Sequence, residues 1–410
     1  MIRNKLKYLI FLSAVGVLSV LYNEYMMGIL FLTIIVIPFA LFAILFYTSK
    51  KISGTLSTVM HVANKGELLP VSVMLYNPTI FPVSNLTIYV TYKNSFSVKS
   101  YKKELAVNID RRTKSNVICN LQSDCAGNLE ITLNGIRNYD FIKLFSLKKK
   151  MNQKITIAVL PDLYELAQQD IRFQDTTLSD SEYFSQSKSG DDPSEVFAIR
   201  EYREGDKPQR IHWKLSRKYD QIMIKEFSKP VDCSFLIFLH LTALKTRDSL
   251  RTIDSLIEAA FSLSHTLQLK GQMHYMAWYE RENNCCQRIQ IAQEKDMFEA
   301  LDGVMQSHPC NNGTDVIAAY LAQFPRECYT DVILFTDEAG YRQLDCVDQL
   351  AAGRKQLILV QNTMSAYEDE EDKILREIPK EIRERSAELG IKLFCVGTGN
   401  VKEDMLEFEL

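Results

Sequence analysis

The N-terminal region contains two long apolar runs, and these runs constrain the fold more than any other feature of the chain. Leu6 to Tyr22 is almost entirely apolar, and Met26 to Tyr47 carries no charge at all. As a helix of about 22 residues, the second run spans roughly 33 Å and crosses a bilayer core, while the first, at about 17 residues, reaches the lower limit. The sequence therefore predicts a transmembrane helical hairpin over residues 1–51, with the lipid bilayer as a partner.

The residues that flank the two runs predict how the hairpin is oriented. Basic side chains occupy the outer flanks: Arg3, Lys5, Lys7, Lys50 and Lys51. The short loop between the runs carries only the acidic Glu24. The positive-inside rule therefore places both termini and the soluble domains on the cytoplasmic side of a cell membrane. A cleaved signal peptide is the alternative, but a second apolar run follows the first and no small-residue cleavage motif does.

Charge and cysteine content weigh against some functions and indicate a compartment. A net charge of -3 over 410 residues argues against a protein that coats nucleic acid, which would need a strongly basic balance. The nine cysteines are scattered without a CxxC pair. This distribution is typical of buried thiols in a reducing compartment, not of a disulfide framework.

Residues 55–150 have the pattern of a β-rich domain. Short segments rich in Val, Ile, Thr and Tyr partly alternate between apolar and polar residues, at 71–77, 86–93, 115–122 and 129–136. Asn-Pro, Phe-Pro, Lys-Asn and Ala-Gly-Asn turn signals separate them. We predict a β-sandwich-like domain of general immunoglobulin architecture, whose simplest role is to hold the remainder of the chain away from the bilayer.

The remainder of the chain is predicted to be a linker followed by an α/β domain. Residues 151–230 combine a polar, Ser-rich loop with a charged segment from Gly190 to Lys229. From 231 to 410, apolar strand-like runs alternate with amphipathic helical segments, beginning with a strand over 235–241 and a helix over 251–269. Repeated β–α units of this kind predict a parallel, doubly wound sheet buried on both faces.

Three loops of this α/β domain carry oxygen-bearing side chains where the strands are predicted to end. The candidates are Thr242 after the first strand, Thr314 before a helix and Asp337 at the end of a later strand. Ligand sites of open α/β sheets lie at the carboxyl ends of the strands. The arrangement resembles the von Willebrand factor A domain, in which a D-x-S-x-S loop, a distant Thr and a distant Asp bind one Mg²⁺.

The sequence departs from that A-domain metal motif at two positions. His240 stands where the motif has its Asp, and Leu244 stands where it has its second Ser. Mg²⁺ prefers oxygen ligands and needs carboxylate charge to offset its dehydration, although an imidazole could favour a softer ion. These losses predict a degenerate site without a metal or other cofactor. We expect Asp337 instead to hold its loop through backbone N–H groups.

The charged segment between the two predicted domains is the most distinctive motif of the chain. Acidic and basic side chains alternate with apolar ones around one turn of this segment. The apolar neighbours can therefore hold the long Arg and Lys side chains in one geometry. It resembles the signature of the domain of unknown function 58 family, an Arg-x-Tyr-x-x-Gly-Asp turn followed by Arg-x-Ile-x-Trp-Lys. The matching residues are Arg200, Tyr202, Gly205, Asp206, Arg210, Ile211, Trp213 and Lys214, followed by Lys225 and Glu226.

Other features extend this resemblance over nearly the whole chain. Residues 138–145 resemble the family's Asp-Pro-Phe-Gly-Leu-Phe element with the Pro and the Gly lost, and Arg217 stands where a small residue is more usual. Two N-terminal spans, a β domain and a von Willebrand A-like domain are also the layout of that family. Its members are associated with MoxR-type AAA+ ATPases and neighbouring membrane proteins. The resemblance therefore implies a membrane-anchored adaptor in assembly or envelope maturation.

Two questions about the charged segment stay open at the level of sequence. Its side chains either form an internal clamp, with Asp206 paired to Arg210 and Trp213 wedged onto the α/β domain, or present a partner surface. The alternative function is a hydrolytic enzyme with Asp206, His212 and Lys214 as acid–base groups. No nucleophile, Walker A loop or G-x-S-x-G elbow accompanies them, so we expect a non-catalytic protein.

Overall fold

The structure, a computed structural model, describes residues 2–22, 24–166, 184–190, 196–203, 211–219, 221–230, 235–243, 249–310, 314–325, 327–338, 340, 343–361 and 380–408. The chain divides into two compact units, Met1–Pro161 and Asp162–Leu410. Each unit has a hydrophobic core of its own.

Two helices begin the first unit and confirm the predicted apolar hairpin. Helix α1 spans Ile2–Tyr22 and helix α2 spans Tyr25–Lys51. Both are long and apolar enough to cross a membrane. Few of their side chains are buried within the protein, which distinguishes them from the core helices of a soluble domain.

The strands of the first unit form two sheets around one core. Their bounds are β1 Ser53–Thr58, β2 Val62–Asn64, β3 Leu69–Asn77, β4 Val83–Asn94, β5 Tyr101–Ile109, β6 Thr113–Leu121, β7 Gly127–Tyr139 and β8 Ser146–Leu160. One sheet has the strand order β1-β3-β6 and the other has β2-β8-β7-β4-β5. Alternate apolar residues of both sheets, such as Val73 in β3 and Ile88 in β4, are fully buried in the shared core.

Strand β8 extends the first unit beyond the boundary expected at residue 150. Residues 155–159, which fall within the predicted linker, continue β8 and pair with β7. They belong to this unit because Ile157 and Val159 are buried in its core. The linker predicted to begin at residue 151 therefore begins about ten residues later, near Pro161.

The second unit contains a small sheet and a large one. Its elements are β9 Phe184–Gly190, β10 Val196–Glu201, α3 Trp213–Tyr219, β11 Met223–Pro230, β12 Phe235–Leu239, α4 Ser249–Leu269, β13 His274–Glu280, β14 Cys285–Ile291, α5 Glu294–Gln306, α6 Val316–Gln323, β15 Cys328–Asp337, α7 Leu344–Val347, β16 Ala351–Gln361, α8 Lys380–Glu388, β17 Lys392–Gly397 and α9 Val401–Leu406. The small sheet has the order β10-β11-β9, and the large sheet has the order β14-β13-β12-β15-β16-β17. The predicted first strand and first helix correspond to β12 and α4.

The large sheet is mixed, so the prediction of an all-parallel sheet is wrong at one edge. Strands β13, β12, β15, β16 and β17 pair in parallel, whereas β14 is antiparallel to β13. Only residues 281–284 connect β13 to β14, and a connection this short permits only a hairpin. Asn284, with a φ of 48°, reverses the chain in the left-handed region that Asn tolerates.

Helices pack against the large sheet and place its strand ends. On one face, Phe238 of β12 and Leu334 of β15 share a core with residues of α6, α7 and α8. The alternate residues Ile237 and Ile333 are also fully buried, and α4 contacts both of their strands. Because β12 and β15 are parallel neighbours, the loops that follow them lie side by side at one edge of the sheet.

Candidate functional site

The charged segment from Gly190 to Lys229, called the signature segment below, contributes strands to the small sheet and forms helix α3. Arg200 in β10 lies opposite Ile224 in β11, and Ile211 forms an isolated bridge with the same Ile224. Lys225 of β11 lies opposite Ile199. The two halves of the signature therefore meet on one strand. The matching residues Gly205, Asp206 and Arg210 lie outside the described residues.

Three large apolar side chains are exposed at one end of this small sheet. Trp213, Ile222 and Tyr202 have exposed fractions of 71%, 50% and 40%. The Tyr202 N–H donates to the Ile222 carbonyl at 2.8 Å. The His212 N–H donates to the Met223 carbonyl at 2.8 Å, which brings Trp213 beside Ile222. We call Tyr202, Trp213 and Ile222 the Trp213 patch.

The exposure of Trp213 contradicts one part of the predicted internal clamp. A side chain this exposed does not wedge the turn onto the α/β domain. Arg200 donates to the backbone carbonyl of Glu201 at 3.0 Å, and Lys214 is exposed. Asp206 and Arg210 lie outside the described residues, so their ion pair stays a prediction.

His212 acts as the N-terminal cap of helix α3. Its ring Nδ1 accepts a hydrogen bond from the Leu215 N–H at 3.3 Å, and its carbonyl accepts one from the same N–H at 3.0 Å. The Ser216 hydroxyl donates to the His212 carbonyl at 3.1 Å and accepts from the Met223 N–H at 2.9 Å. These contacts fix the start of α3 against β11, which is a structural role for His212.

Two of the strand-end candidates are in direct contact. The Thr242 hydroxyl donates to Oδ2 of Asp337, and both residues are buried. The other carboxylate oxygen of Asp337 accepts from the Gly340 N–H at 3.0 Å. This last bond confirms the expectation that Asp337 holds its loop through a backbone N–H.

Thr314, the third candidate, is held by a residue that sequence reasoning missed. The buried Gln343 donates from its amide nitrogen to the Thr314 carbonyl at 2.8 Å. Its amide oxygen accepts from the Ile317 N–H at 3.3 Å. Gln343 therefore ties the loop before α6 to the loop after β15. No local pattern marks such a residue, because its role depends on two loops that meet only in the folded chain.

His240 is buried next to these residues as a neutral imidazole. Its Nδ1 lies 3.0 Å from Oγ1 of Thr336, and burial lowers its pKa to about 4. Gly340 covers this pair closely. A Cβ at Gly340 would lie 1.9 Å from Oγ1 of Thr336 and 2.6 Å from Nδ1 of His240. The loop can approach this closely only with a glycine at position 340.

We expect Gly340→Ala to destabilise the second unit by about 1–3 kcal/mol, because the added methyl overpacks the His240–Thr336 pair. Urea unfolding at pH 7 measures the change. In a Thr336→Ala background, which removes the nearest atom, the same Gly340→Ala change should cost less. An equal loss in both backgrounds would assign the effect to the loop backbone and contradict the steric explanation.

The residues gathered at these strand ends do not fit a Mg²⁺ ion. Both carboxylate oxygens of Asp337 already accept from protein donors, the Thr242 hydroxyl and the Gly340 N–H. His240, in the place of the motif's acidic residue, is a neutral ring without an oxygen ligand. No group of three or more His, Cys, Asp and Glu side chains capable of holding a metal occurs in the part of the chain that the structure describes. A hard dication needs more carboxylate oxygen than this.

Comparison with known proteins gives only distant similarities. No protein-family model and no curated protein matches the sequence. Among solved structures, the chain is similar to a CARDB domain from Pyrococcus furiosus, with 13% identity and a TM-score of 0.19, over 26% of this chain and 91% of that one. It is similar to a β-glucosidase from Listeria innocua, with 13% identity and a TM-score of 0.20, over 26% of this chain and 16% of that enzyme. At such TM-scores, these similarities establish neither fold nor activity.

Proposed function

We propose that this chain is a membrane-anchored, non-catalytic scaffold of the domain of unknown function 58 family. In this proposal it works with a MoxR-type AAA+ ATPase and neighbouring membrane proteins in assembly or envelope maturation. Helices α1 and α2 supply the anchor, since both are long and apolar enough to cross a membrane. The basic flanks of the hairpin support a two-span topology with both termini and both soluble units in the cytoplasm.

The Trp213 patch is the observation that carries this proposal. Monomeric proteins seldom expose a Trp, a Tyr and an Ile together, and Trp and Tyr dominate the energetic centres of protein interfaces. Five exposed charged residues lie nearby on the same segment, one acidic and four basic: Glu201, Arg203, Lys214, Arg217 and Lys218. An apolar centre with a mainly basic rim suits a partner protein whose binding surface is apolar at its centre and mainly acidic around it.

The topology of the large sheet supports an A-like α/β domain as part of the same proposal. Numbered along the chain from β12, its strand order is 3-2-1-4-5-6, the order typical of doubly wound folds. Thr242 and Asp337 lie where that order reverses, which is the position at which such folds bind ligands. Because Thr242 and Asp337 form a hydrogen bond with each other, we propose that this edge of the large sheet binds no cofactor.

The test is recovery of the partner from solubilised membranes. The full chain, tagged and extracted in mild detergent, should recover an AAA+ ATPase, which mass spectrometry identifies. Trp213→Ala should weaken that interaction at least about 30-fold, the effect of truncating an interface hot spot worth roughly 2 kcal/mol. The matched control is Phe298→Ala, which removes another exposed aromatic ring of the second unit.

Three results decide the proposal. Loss of the ATPase in Trp213→Ala but not in Phe298→Ala, with unfolding curves unchanged, supports the Trp213 patch as the binding surface. Equal recovery with all three proteins would contradict the role of the patch. A chain that recovers no AAA+ ATPase at all would overturn the scaffold proposal itself.

A further inference from the structure

Three turns of the first unit lie at the end of its sheets from which the helical hairpin leaves. They connect β3 to β4 (78–82), β5 to β6 (110–112) and β7 to β8 (140–145). The Arg112 N–H donates to the Thr79 carbonyl at 3.1 Å, which holds the first two turns together. We call these three segments the hairpin-end turns.

Two of the hairpin-end turns contact the apolar helices directly. The Phe81 ring lies 6.4 Å from that of Tyr47, and the Phe145 ring lies 5.3 Å from that of Phe42. From the first turn of α1, the Lys5 ammonium lies 5.8 Å from the centroid of the Phe145 ring. The turns therefore pack beside the end of α2 and the start of α1.

The length of α2 places the hairpin-end turns near the depth of the lipid headgroups. From Tyr25 to Lys51 the helix has 27 residues and is about 40 Å long, whereas a bilayer core is about 30 Å thick. About 20 residues fill that core, so a span that starts at Tyr25 leaves it near Leu45. Leu45 lies between Phe42 and Tyr47, the two residues that the turns contact. If α2 crosses a membrane, the turns reach the surface of one leaflet.

The tips of the hairpin-end turns are apolar. Ile80, Phe141 and Ile142 have exposed fractions of 55%, 47% and 42%. Turn residues are ordinarily polar, because most turns face water. Large apolar side chains grouped on a surface mark a protein or membrane interaction site.

The polar side chains of these turns point inward and fix the apolar tips outward. Oδ1 of the buried Asn77 accepts from the Thr79 N–H at 3.1 Å and from its hydroxyl at 2.7 Å. Oδ1 of the buried Asp140 accepts from the Phe145 N–H at 2.8 Å. The exposure of the tips is therefore built into the turns, and their insertion needs no rearrangement of the backbone.

The charge around the apolar tips is mainly basic. The hairpin-end turns contain two acids, of which Asp110 is exposed and Asp140 is buried. Apolar tips among cations suit an anionic lipid surface, because the cations attract the headgroups while the tips enter the interface. The surface also adjoins both spans, so a bilayer continues the same contact. The exposed cations of the turns and of the end of α2 are Arg111, Arg112, Lys143, Lys50 and Lys51.

We propose that the hairpin-end turns form a lipid-binding surface that inserts Ile80, Phe141 and Ile142 into the membrane interface and recognises anionic headgroups. In this arrangement the first unit rests on the bilayer instead of holding the chain away from it. The inference rests on the membrane anchoring within the proposed function, but it does not depend on the AAA+ partner.

The first test is photocrosslinking of the full chain in nanodiscs of phosphatidylcholine with one-quarter phosphatidylglycerol. The photoreactive residue p-benzoylphenylalanine replaces Phe141, Ile80 or, as the control, Val98. Val98 is 89% exposed but lies beyond the far end of β4, a strand of 12 residues and about 40 Å. Mass spectrometry should find lipid adducts at 141 and 80 and none at 98. Absence of lipid adducts at both 141 and 80 would overturn the proposal.

The second test concerns the headgroup and uses the probe at position 141. Corrected for its share of the lipid, phosphatidylglycerol should form adducts at least about fivefold more often than phosphatidylcholine. Arg111→Glu with Arg112→Glu should abolish this preference. Lys99→Glu with Lys102→Glu, a matched pair of exposed cations at the far end of the unit, should preserve it. Equal labelling of the two lipids by the chain with its native charges would refute the anionic preference.

A final pair of measurements separates the bilayer from other partners. In native membranes, adducts of position 141 with another protein or a second copy of this chain, instead of lipid, would assign the surface to that partner and overturn the proposal. Extraction of the same membranes with alkaline carbonate tests the anchoring independently. Release of the chain by carbonate would refute the anchoring in the proposed function. A chain that stays in the membrane without lipid adducts would refute this inference alone.

Discussion

Acidification from pH 7 to pH 5 is expected to destabilise the second unit by roughly 4 kcal/mol, with about half from each of two buried histidines. His240 and His274 are 3% and 0% exposed, and burial lowers the pKa of each to about 4. In the unfolded chain both return to an ordinary pKa near 6.5. Between these values the unfolded state binds more protons than the folded state, so stability falls as the pH falls.

The contacts of the two rings explain why neither is protonated in the folded chain. His274 bonds through Nε2 to the Ser264 hydroxyl at 2.7 Å and through Nδ1 to the Gln272 carbonyl at 3.0 Å. The ring donates from Nδ1 and accepts at Nε2, which is the neutral form. His240 contacts the Thr336 hydroxyl at 3.0 Å. Protonation of either ring would place an ion in an apolar core, which is unfavourable.

Urea unfolding of the full chain at pH 7, 6 and 5 measures this effect. Trp278, one of two tryptophans, is 4% exposed in β13 and reports on the second unit once Trp213 is replaced by Phe. His274→Gln should remove about half of the difference in unfolding free energy between pH 7 and pH 5. His61→Gln, at an exposed histidine of the first unit, should leave that difference unchanged. An unfolding free energy that stays constant over this range would refute the prediction.

Features carried by local sequence could be predicted, and features created by tertiary contact could not. The apolar hairpin is predictable because a bilayer demands about 20 consecutive apolar residues, a requirement that composition alone reveals. The contact between Thr242 and Asp337 follows from a general rule, since parallel strands end at one edge of a sheet. In contrast, strand β14 was missed because Gln287, Arg288 and Gln290 interrupt its apolar residues, and only its pairing with β13 makes it a strand.

The signature segment shows the same division within one motif. Its antiparallel strands follow from alternating apolar residues, but the exposure of Trp213 does not, because a tryptophan flanked by charges fits a wedge and a docking surface equally well. The hydrogen bonds from Asn138 to Thr48 and Ser49 likewise depend on the packing of the end of β7 against α2, which no spacing in the sequence reveals. Interpreting such residues requires the packed structure.

The Arg288 network is the clearest case of a stabilising centre that sequence conceals. The Arg288 guanidinium lies against two aromatic rings, 4.3 Å from the ring centroid of Tyr275 and 4.1 Å from that of Phe324. It donates to both carboxylate oxygens of Glu327 and to the Tyr329 hydroxyl. Although burial lowers the pKa of Arg288, the hydrogen bond to Glu327 raises it above its ordinary value, so the cation is permanent. These residues come from separate strands and a helix end, so no sequence spacing joins them.

Replacing Arg288 by Ala is expected to destabilise the second unit by about 3 kcal/mol. The change removes a planar cation between two rings and leaves Glu327 and Tyr329 with fewer donors. Arg288→Lys should recover less than half of that loss, because a lysine supplies charge without the planar fork. The control is Arg385→Ala, whose exposed pairs with Asp345 and Glu388 should contribute at most about 1 kcal/mol. Urea unfolding followed by Trp278 measures all three variants. Full stability in Arg288→Lys would show that charge alone suffices and that the stacked, forked geometry contributes nothing.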